Sequence, residues 1–117
     1  VLFTGHLSGE DVNTAYKMAD LYVMPSVSEP FGITPLEAIK NSTPVIISKT
    51  AGVSEVLTNA IKVDFWDTDE MTNQIVSILS YSPLHNELTH NSLHDLRKLS
   101  WEKAAEKCID VYSRVTA

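Results

Sequence analysis

Apolar positions follow two periods along this chain. Continuous apolar runs alternate with segments in which apolar residues recur three and four apart. The runs predict strands and the spaced segments predict amphipathic helices. Val1-Leu2-Phe3-Thr4-Gly5 predicts a short strand stopped by its glycine. Ser8 then predicts a helix cap with an acid three positions on, and Val12, Ala15, Tyr16 and Ala19 form the apolar face that follows. Leu21 to Met24 predicts a second strand closed by Pro25. After a loop, Thr34-Pro35-Leu36-Glu37 predicts a helix start, with Thr34 as cap, Pro35 at the first helical position and Glu37 at the third. Pro44 to Ser48 predicts a strand covered on both faces, as in a parallel sheet. Ala51 to Glu55 predicts a turn and a brief helix, and 61–65 a last short strand. Asp67 to Glu70 predicts the cap of a helix whose apolar face is Met71, Ile75, Ile78 and Leu79. A more polar helix runs from Pro83 to about Leu99. Ser100 caps the final helix, where Trp101, Ala104, Ala105, Cys108, Ile109, Tyr112 and Val115 make a stripe expected to lie in the core. Alternating strands and helices argue for an α/β fold with a mostly parallel sheet, in one domain over 1–117.

Composition narrows this picture without redirecting it. The chain has 117 residues, enough for its own core. Its formal net charge of −6 and the lack of a Lys/Arg run argue against generic binding to nucleic acid or to an anionic membrane surface. No apolar run approaches the ~20 residues of a membrane span. The one cysteine, Cys108, cannot form an internal disulfide and reads as a small core residue, so the expected setting is reducing and cytoplasmic. The chain begins at Val1, inside an apolar run, which reads as a piece of a longer protein whose N-terminal part is missing.

In open α/β sheets, ligands bind beyond the carboxyl ends of the strands. Three loops leave predicted strand ends: Gly5–Glu10, Pro25–Thr34 and Ser48–Glu55. The middle one is richest. It carries Glu29 and Gly32 and ends on a helix N-terminus, whose free N–H groups and dipole favour an anion such as a diphosphate. Gly32 lets backbone approach closely. Glu37 lies in the first helical turn, near the same mouth. Two acceptor carboxylates beside a helix N-terminus suit a ligand with phosphate in its middle and hydroxyls at both ends.

The run Glu29-Pro30-Phe31-Gly32-Ile33-Thr34-Pro35-Leu36-Glu37 resembles the E-x7-E signature of retaining glycosyltransferases of the GT-B fold, especially the large group called family four, the glycosyl transferases group 1. Ala19-Asp20-Leu21-Tyr22-Val23-Met24-Pro25-Ser26, Pro44-Val45-Ile46, Gly52-Val53-Ser54-Glu55 and Ser100-Trp101 resemble further blocks of that family, in the family's order. The resemblance implies a three-layer Rossmann-like sheet flanked by helices, part of the C-terminal, nucleotide-sugar-binding half of a GT-B enzyme. It implies that Glu29 holds the donor sugar as the catalytic residue of this half. Phe31, Gly32, Ile33 and Thr34 would offer N–H groups to sugar and diphosphate, Glu37 would hold the ribose, and the turn at Gly52 would line the cleft. It implies no cofactor and no metal. It places the acceptor-binding domain, any peripheral membrane contact, and the Arg and Lys that neutralise the diphosphate outside this chain. In the strand order 3-2-1-4-5-6, Val1–Gly5 would be strand 3 and Leu21–Met24 strand 4. A piece lacking the strands between them would pair these two directly or form a dimer. Two departures stand out: Ser42 where the family has Gly, which would strain a helix end, and Ala51 where it has the first of two glycines.

Plainer readings stand beside these. Glu37 could close a capping box on Thr34, and Glu29 could be a solvated loop charge. Glu55, Asp67 and Asp69 read as helix-start acids. His90 and His94 could share a helix face but lack a third zinc ligand, and His6 follows the first predicted strand. A non-catalytic nucleotide- or sugar-binding module is the main alternative. A GT-B epimerase would lack the E-P-F-G-x-T-x-x-E arrangement, and a flavodoxin-like response module would need an acidic cluster at the strand ends.

Overall fold

The structure is a computed structural model and describes residues 1–116. Its centre is a three-stranded parallel sheet, β1 (Tyr22–Met24), β2 (Val45–Ser48) and β3 (Ile61–Val63), in the order β1-β2-β3. Tyr22 faces Val45 across the first pair, and Ile46 faces Ile61 across the second. Helices α1 (Glu10–Met18), α2 (Thr34–Lys40), α3 (Thr68–Ser80), α4 (Ser82–Arg97) and α5 (Trp101–Thr116) surround or leave this sheet, and a 3-10 turn covers Gly52–Glu55.

The apolar run of β2 is buried along its whole length, as its sequence predicts. Successive strand side chains point to opposite faces, and here each face has its own core. Val45 and Ile47 pack with Met24, Ala38, Ile39, Val53 and Leu57, beside Leu93 and Leu96 of α4. Ile46 packs on the other side with Val63 and Ile78, beside Met71, Ile75, Leu84 and Leu88. Helix α4 therefore borders both cores, and the expected three-layer arrangement is present.

Local chemistry explains the helix ends. Asp67 caps α3 by accepting from the Glu70 N–H at 2.9 Å, and Ser100 Oγ accepts from the Lys103 N–H at 3.1 Å. Helix α2 ends in a Schellman motif: the Ser42 N–H donates to Ile39 O and the Thr43 N–H to Ala38 O. Ser42 takes φ +65°, the left-handed region that favours glycine, so the strain expected there is present.

Five expectations are corrected. Residues 1–8 form no strand, and Leu2 and Phe3 are 86% and 91% exposed. A strand needs a ladder partner, and among the described residues β1 pairs with β2 alone, so direct closure of the sheet by Val1–Gly5 does not occur. Ser8 does not cap α1; Gly9 precedes the helix and no side chain caps it. Leu79 is exposed, while Met71, Ile75 and Ile78 turn inward. Finally, the stripe on α5 is not in a core. Every described residue of α5 is exposed, including Cys108, Trp101 (82%) and Tyr112 (67%), because no described element lies over this helix. No described helix is long and apolar enough to cross a membrane.

Candidate functional site

The loops after β1 and β2 leave the same end of a parallel sheet, and the backbone fastens them together. The Gly52 N–H donates to Glu29 O at 3.0 Å and the Val53 N–H to Phe31 O at 2.6 Å. Thr50 Oγ1 adds a bond to Val27 O at 3.2 Å. This approach is closer than any residue with a Cβ allows. A Cβ on Gly52 would land on Pro30 O, with Pro30 C at 2.9 Å and Phe31 Cα at 3.1 Å. Gly32 is needed for a second reason: its φ is +99°, and a Cβ there would meet Met24 Cε at 3.1 Å and Glu29 Cγ at 3.2 Å. Both glycines singled out in the sequence thus hold the loop of Glu29 in place.

Between this clamp and α2, the N–H groups of Phe31, Gly32, Ile33 and Thr34 donate to no acceptor among the described residues. Phe31, Ile33 and Thr34 are exposed and Glu29 is half-buried, while Gly32 is buried, so the helix mouth is open at three of these four donors. The cap differs from the expectation. The residue before the helix is Ile33, in a helical conformation, and no side chain caps α2. Thr34 lies one position inside, and its Oγ1 accepts from the Tyr22 hydroxyl at 2.8 Å. With Thr34 in that place, a capping box from Glu37 does not form.

Glu37 has another partner instead. The Tyr16 hydroxyl donates to Glu37 Oε2 at 3.3 Å, and Tyr16 stacks edge-on against Tyr22 with ring centroids 5.6 Å apart. Burial, then the nearby Tyr22 and Glu37, push the Tyr16 hydroxyl up to about 12, so it remains a proton donor through the neutral range. The Thr43 hydroxyl donates to Tyr16 O at 2.6 Å and fixes α1 against the start of β2. Two tyrosines from α1 and β1 therefore hold the first turn of α2 from below. In the sequence Tyr16 reads only as part of an apolar face. Its 21-residue separation from Glu37 left no local signal.

Among cations near the strand ends, Lys49 is committed elsewhere, since its Nζ lies 2.8 Å from Asp64 Oδ2. The hydrogen bond and charge of Asp64 raise the Lys49 pKa. His6 is exposed in the segment ahead of α1, and Glu55 is exposed on the 3-10 turn. His90 and His94 sit on α4, in a groove apart from the loops of Glu29 and Gly52. No group of three or more metal-ligating side chains occurs among the described residues.

This is a parallel α/β sheet with its open loops at the strand carboxyl ends, the Rossmann-like part of a GT-B fold. The family model described as glycosyl transferases group 1 matches residues 1–95, and the chain belongs to that family. It is 34% identical over 116 residues to an uncharacterized glycosyltransferase of Methanocaldococcus jannaschii, covering 96% of this chain and 30% of that protein. It is 31% identical over 124 residues to a probable sucrose-phosphate synthase of Craterostigma plantagineum, covering all of this chain and 11% of that protein. The solved sucrose-phosphate synthase of Thermosynechococcus elongatus superposes with a TM-score of 0.82 at 28% identity, covering 98% of this chain and 30% of that one. The chain thus spans under a third of the length of these relatives.

Proposed function

We propose that this chain is the donor-binding part of a retaining glycosyltransferase that transfers a sugar from a nucleotide-diphosphate sugar to a hydroxyl acceptor. One observation carries the reading. Four consecutive unpartnered N–H groups, Phe31 to Thr34, three of them on exposed residues, lie between a clamped loop bearing Glu29 and a helical turn bearing Glu37. Fixed N–H donors are suited to an anion whose charge grows as a diphosphate departs, because they need no reorganisation at that moment. In this reading Glu29 accepts from the sugar hydroxyls and orients the ring so that the acceptor attacks the face the leaving group departs from. Glu37, steadied by Tyr16, takes the ribose hydroxyls, and Gly52 lines the cleft. The electrostatic work falls to N–H groups and to basic residues outside the chain, with no metal or cofactor. The acceptor domain and any membrane contact also lie outside it, the chain alone is inactive, and its setting is the cytoplasm.

The test is a thermal-shift screen of UDP-, GDP- and ADP-sugars on the full-length protein. One of them, well above its Kd, is expected to stabilise wild type by roughly 2–3 kcal/mol, a shift of a few degrees. Glu29→Ala is expected to lose the sugar's share of that shift while still responding to the free nucleoside diphosphate. Glu37→Ala is expected to lose both responses. An equal response from all three proteins overturns the site. A non-catalytic binding module would bind as predicted and show no transfer to any acceptor.

A further inference from the structure

We propose that His90, His94 and Arg97 form a second anion site, for a phosphate group, at the end of the sheet opposite the Glu29 loop. The site does not depend on the functional reading above. The three side chains lie at i, i+4 and i+7 of α4, on one face of the helix. They line a groove of about 430 Å³ together with Asn59, Asn91 and Leu93. Residues 57–60 lead into β3, whereas the loops of Glu29 and Gly52 follow β1 and β2, so in a parallel sheet the two places lie at opposite ends.

The groove wall is fixed by a buried charge. Asp95 is 1% exposed, and its carboxylate accepts from the Thr58 N–H, the Thr58 hydroxyl, the Asn59 N–H and Asn59 Nδ2, all at 2.8–3.0 Å. Burial pushes this carboxyl up, but the bonds from Thr58 and Asn59 outweigh it and hold its pKa below the ordinary value. Asp95 therefore remains a buried anion that ties residues 58–59 to α4. It is turned into that clasp and is not among the residues that line the groove.

The charge inside the groove has one sign. None of its lining residues is acidic, in a chain with 15 acids against 9 Lys and Arg. His90, His94 and Arg97 join no ion pair among the described residues. On α4 itself the nearest charges in sequence are Glu87, Asp95 and Lys98, with Lys98 Nζ 3.6 Å from Asp95. Residues 57–60 carry no titratable side chain. α2, which brings Glu37 and Lys40, and α3, which brings Asp69 and Glu70, pack on α4, the Asp20 carbonyl meets His85, and Lys103 of α5 donates to Lys98 O; none of these residues lines the groove. Basic residues in a last helical turn also complement the helix dipole, but that role does not require them to converge with Asn91 on one cavity. Arginine offers a planar fork to phosphate oxygens, and a protonated imidazole donates from both ring nitrogens. A phosphate group on a soluble small molecule or on a lipid headgroup fits this chemistry.

The probe is inorganic phosphate, titrated against the full-length protein carrying 13C-labelled histidine, with sodium chloride matched throughout. His90→Gln and His94→Gln assign the ring signals. Both signals are expected to move saturably as phosphate is added. Arg97→Gln is expected to weaken binding about tenfold, and its exposed position leaves the fold intact. His85, whose Nε2 lies 3.0 Å from Asp20 O, is the reference and is expected to stay still. No saturable movement, equal binding by Arg97→Gln, or equal movement of His85 overturns the proposal. Given the phosphate response, Arg97-dependent cosedimentation with phosphatidic acid vesicles supports the site with a headgroup as its source. Its absence supports the site with a soluble phosphate.

Discussion

Strand β2 and helix α5 carry equally clear apolar patterns and meet opposite fates. Val45, Ile46 and Ile47 are buried, while Trp101, Ile109, Tyr112 and Val115 stand in solvent. A pattern states which face of an element prefers to be dry. It does not state that a partner for that face lies within the same chain. β2 has cores on both faces because α2, α3 and α4 follow within about one crossover of their strands. α5 follows all of them and finds no described surface left to cover it.

The largest effects should come from breaking the covered side of this comparison. Ile46→Ala removes a fully buried side chain between Val63 and Ile78, and the cavity should cost about 4 kcal/mol by urea unfolding. Ile109→Ser on α5 should change stability by less than about 0.5 kcal/mol, because no contact is lost. Similar losses for both would show that α5 is packed after all. Gly52→Ala comes next. Its Cβ meets backbone atoms of Pro30 and Phe31, which cannot rotate away, so either the clamp opens or the loops shift. About 3 kcal/mol of stability should go, together with the nucleotide-sugar response. A thermal shift that survives Gly52→Ala would separate binding from the clamp.

Asp95→Asn tests the buried charge that holds the start of β3. It should cost about 2 kcal/mol near neutral pH, since charge-assisted bonds to Thr58 and Asn59 are weakened. The sign of the pH dependence follows from the lowered carboxyl pKa. Its stabilisation is complete above the ordinary aspartate value, about 3.9, and fades as pH falls through the folded value. The gap between wild type and Asp95→Asn should therefore narrow in acid. A gap constant from neutral pH to acid would mean that hydrogen-bond geometry matters here and the charge does not.

How much of this was legible in the sequence depended on range. β2, the cap by Asp67 and the Pro35 helix start were readable because short-range rules decide them. The two site glycines were readable as glycines, but the reason for Gly52 lies in Pro30, which only the fold brings near. Thr34 reads as a cap in the sequence but lies one position inside the helix, where its oxygen accepts from Tyr22. The bonds of Tyr16 to Glu37 and of Asp95 to Thr58 join residues with 20 or more positions between them, and neither left a local signature. Val1–Gly5 lacks a ladder partner as the stripe of α5 lacks a cover, so its β-pattern forms no strand.

Ser42 gives the smallest effect and the sharpest sign. It is the C′ residue of the Schellman motif that turns α2 into β2, at φ +65°. A residue with a Cβ is strained there by about 1 kcal/mol, and glycine is not. Glycine also gives the unfolded chain more freedom, which takes back part of the gain. Ser42→Gly should therefore stabilise by about 0.5 kcal/mol, while Ser42→Val, β-branched at a positive φ, should destabilise by about 1 kcal/mol. The pair should move the urea midpoint in opposite directions with an unchanged slope. Opposite shifts would place the strain of this covered region in one backbone dihedral. Loss of stability in both variants would instead assign the position to the Ser42 hydroxyl.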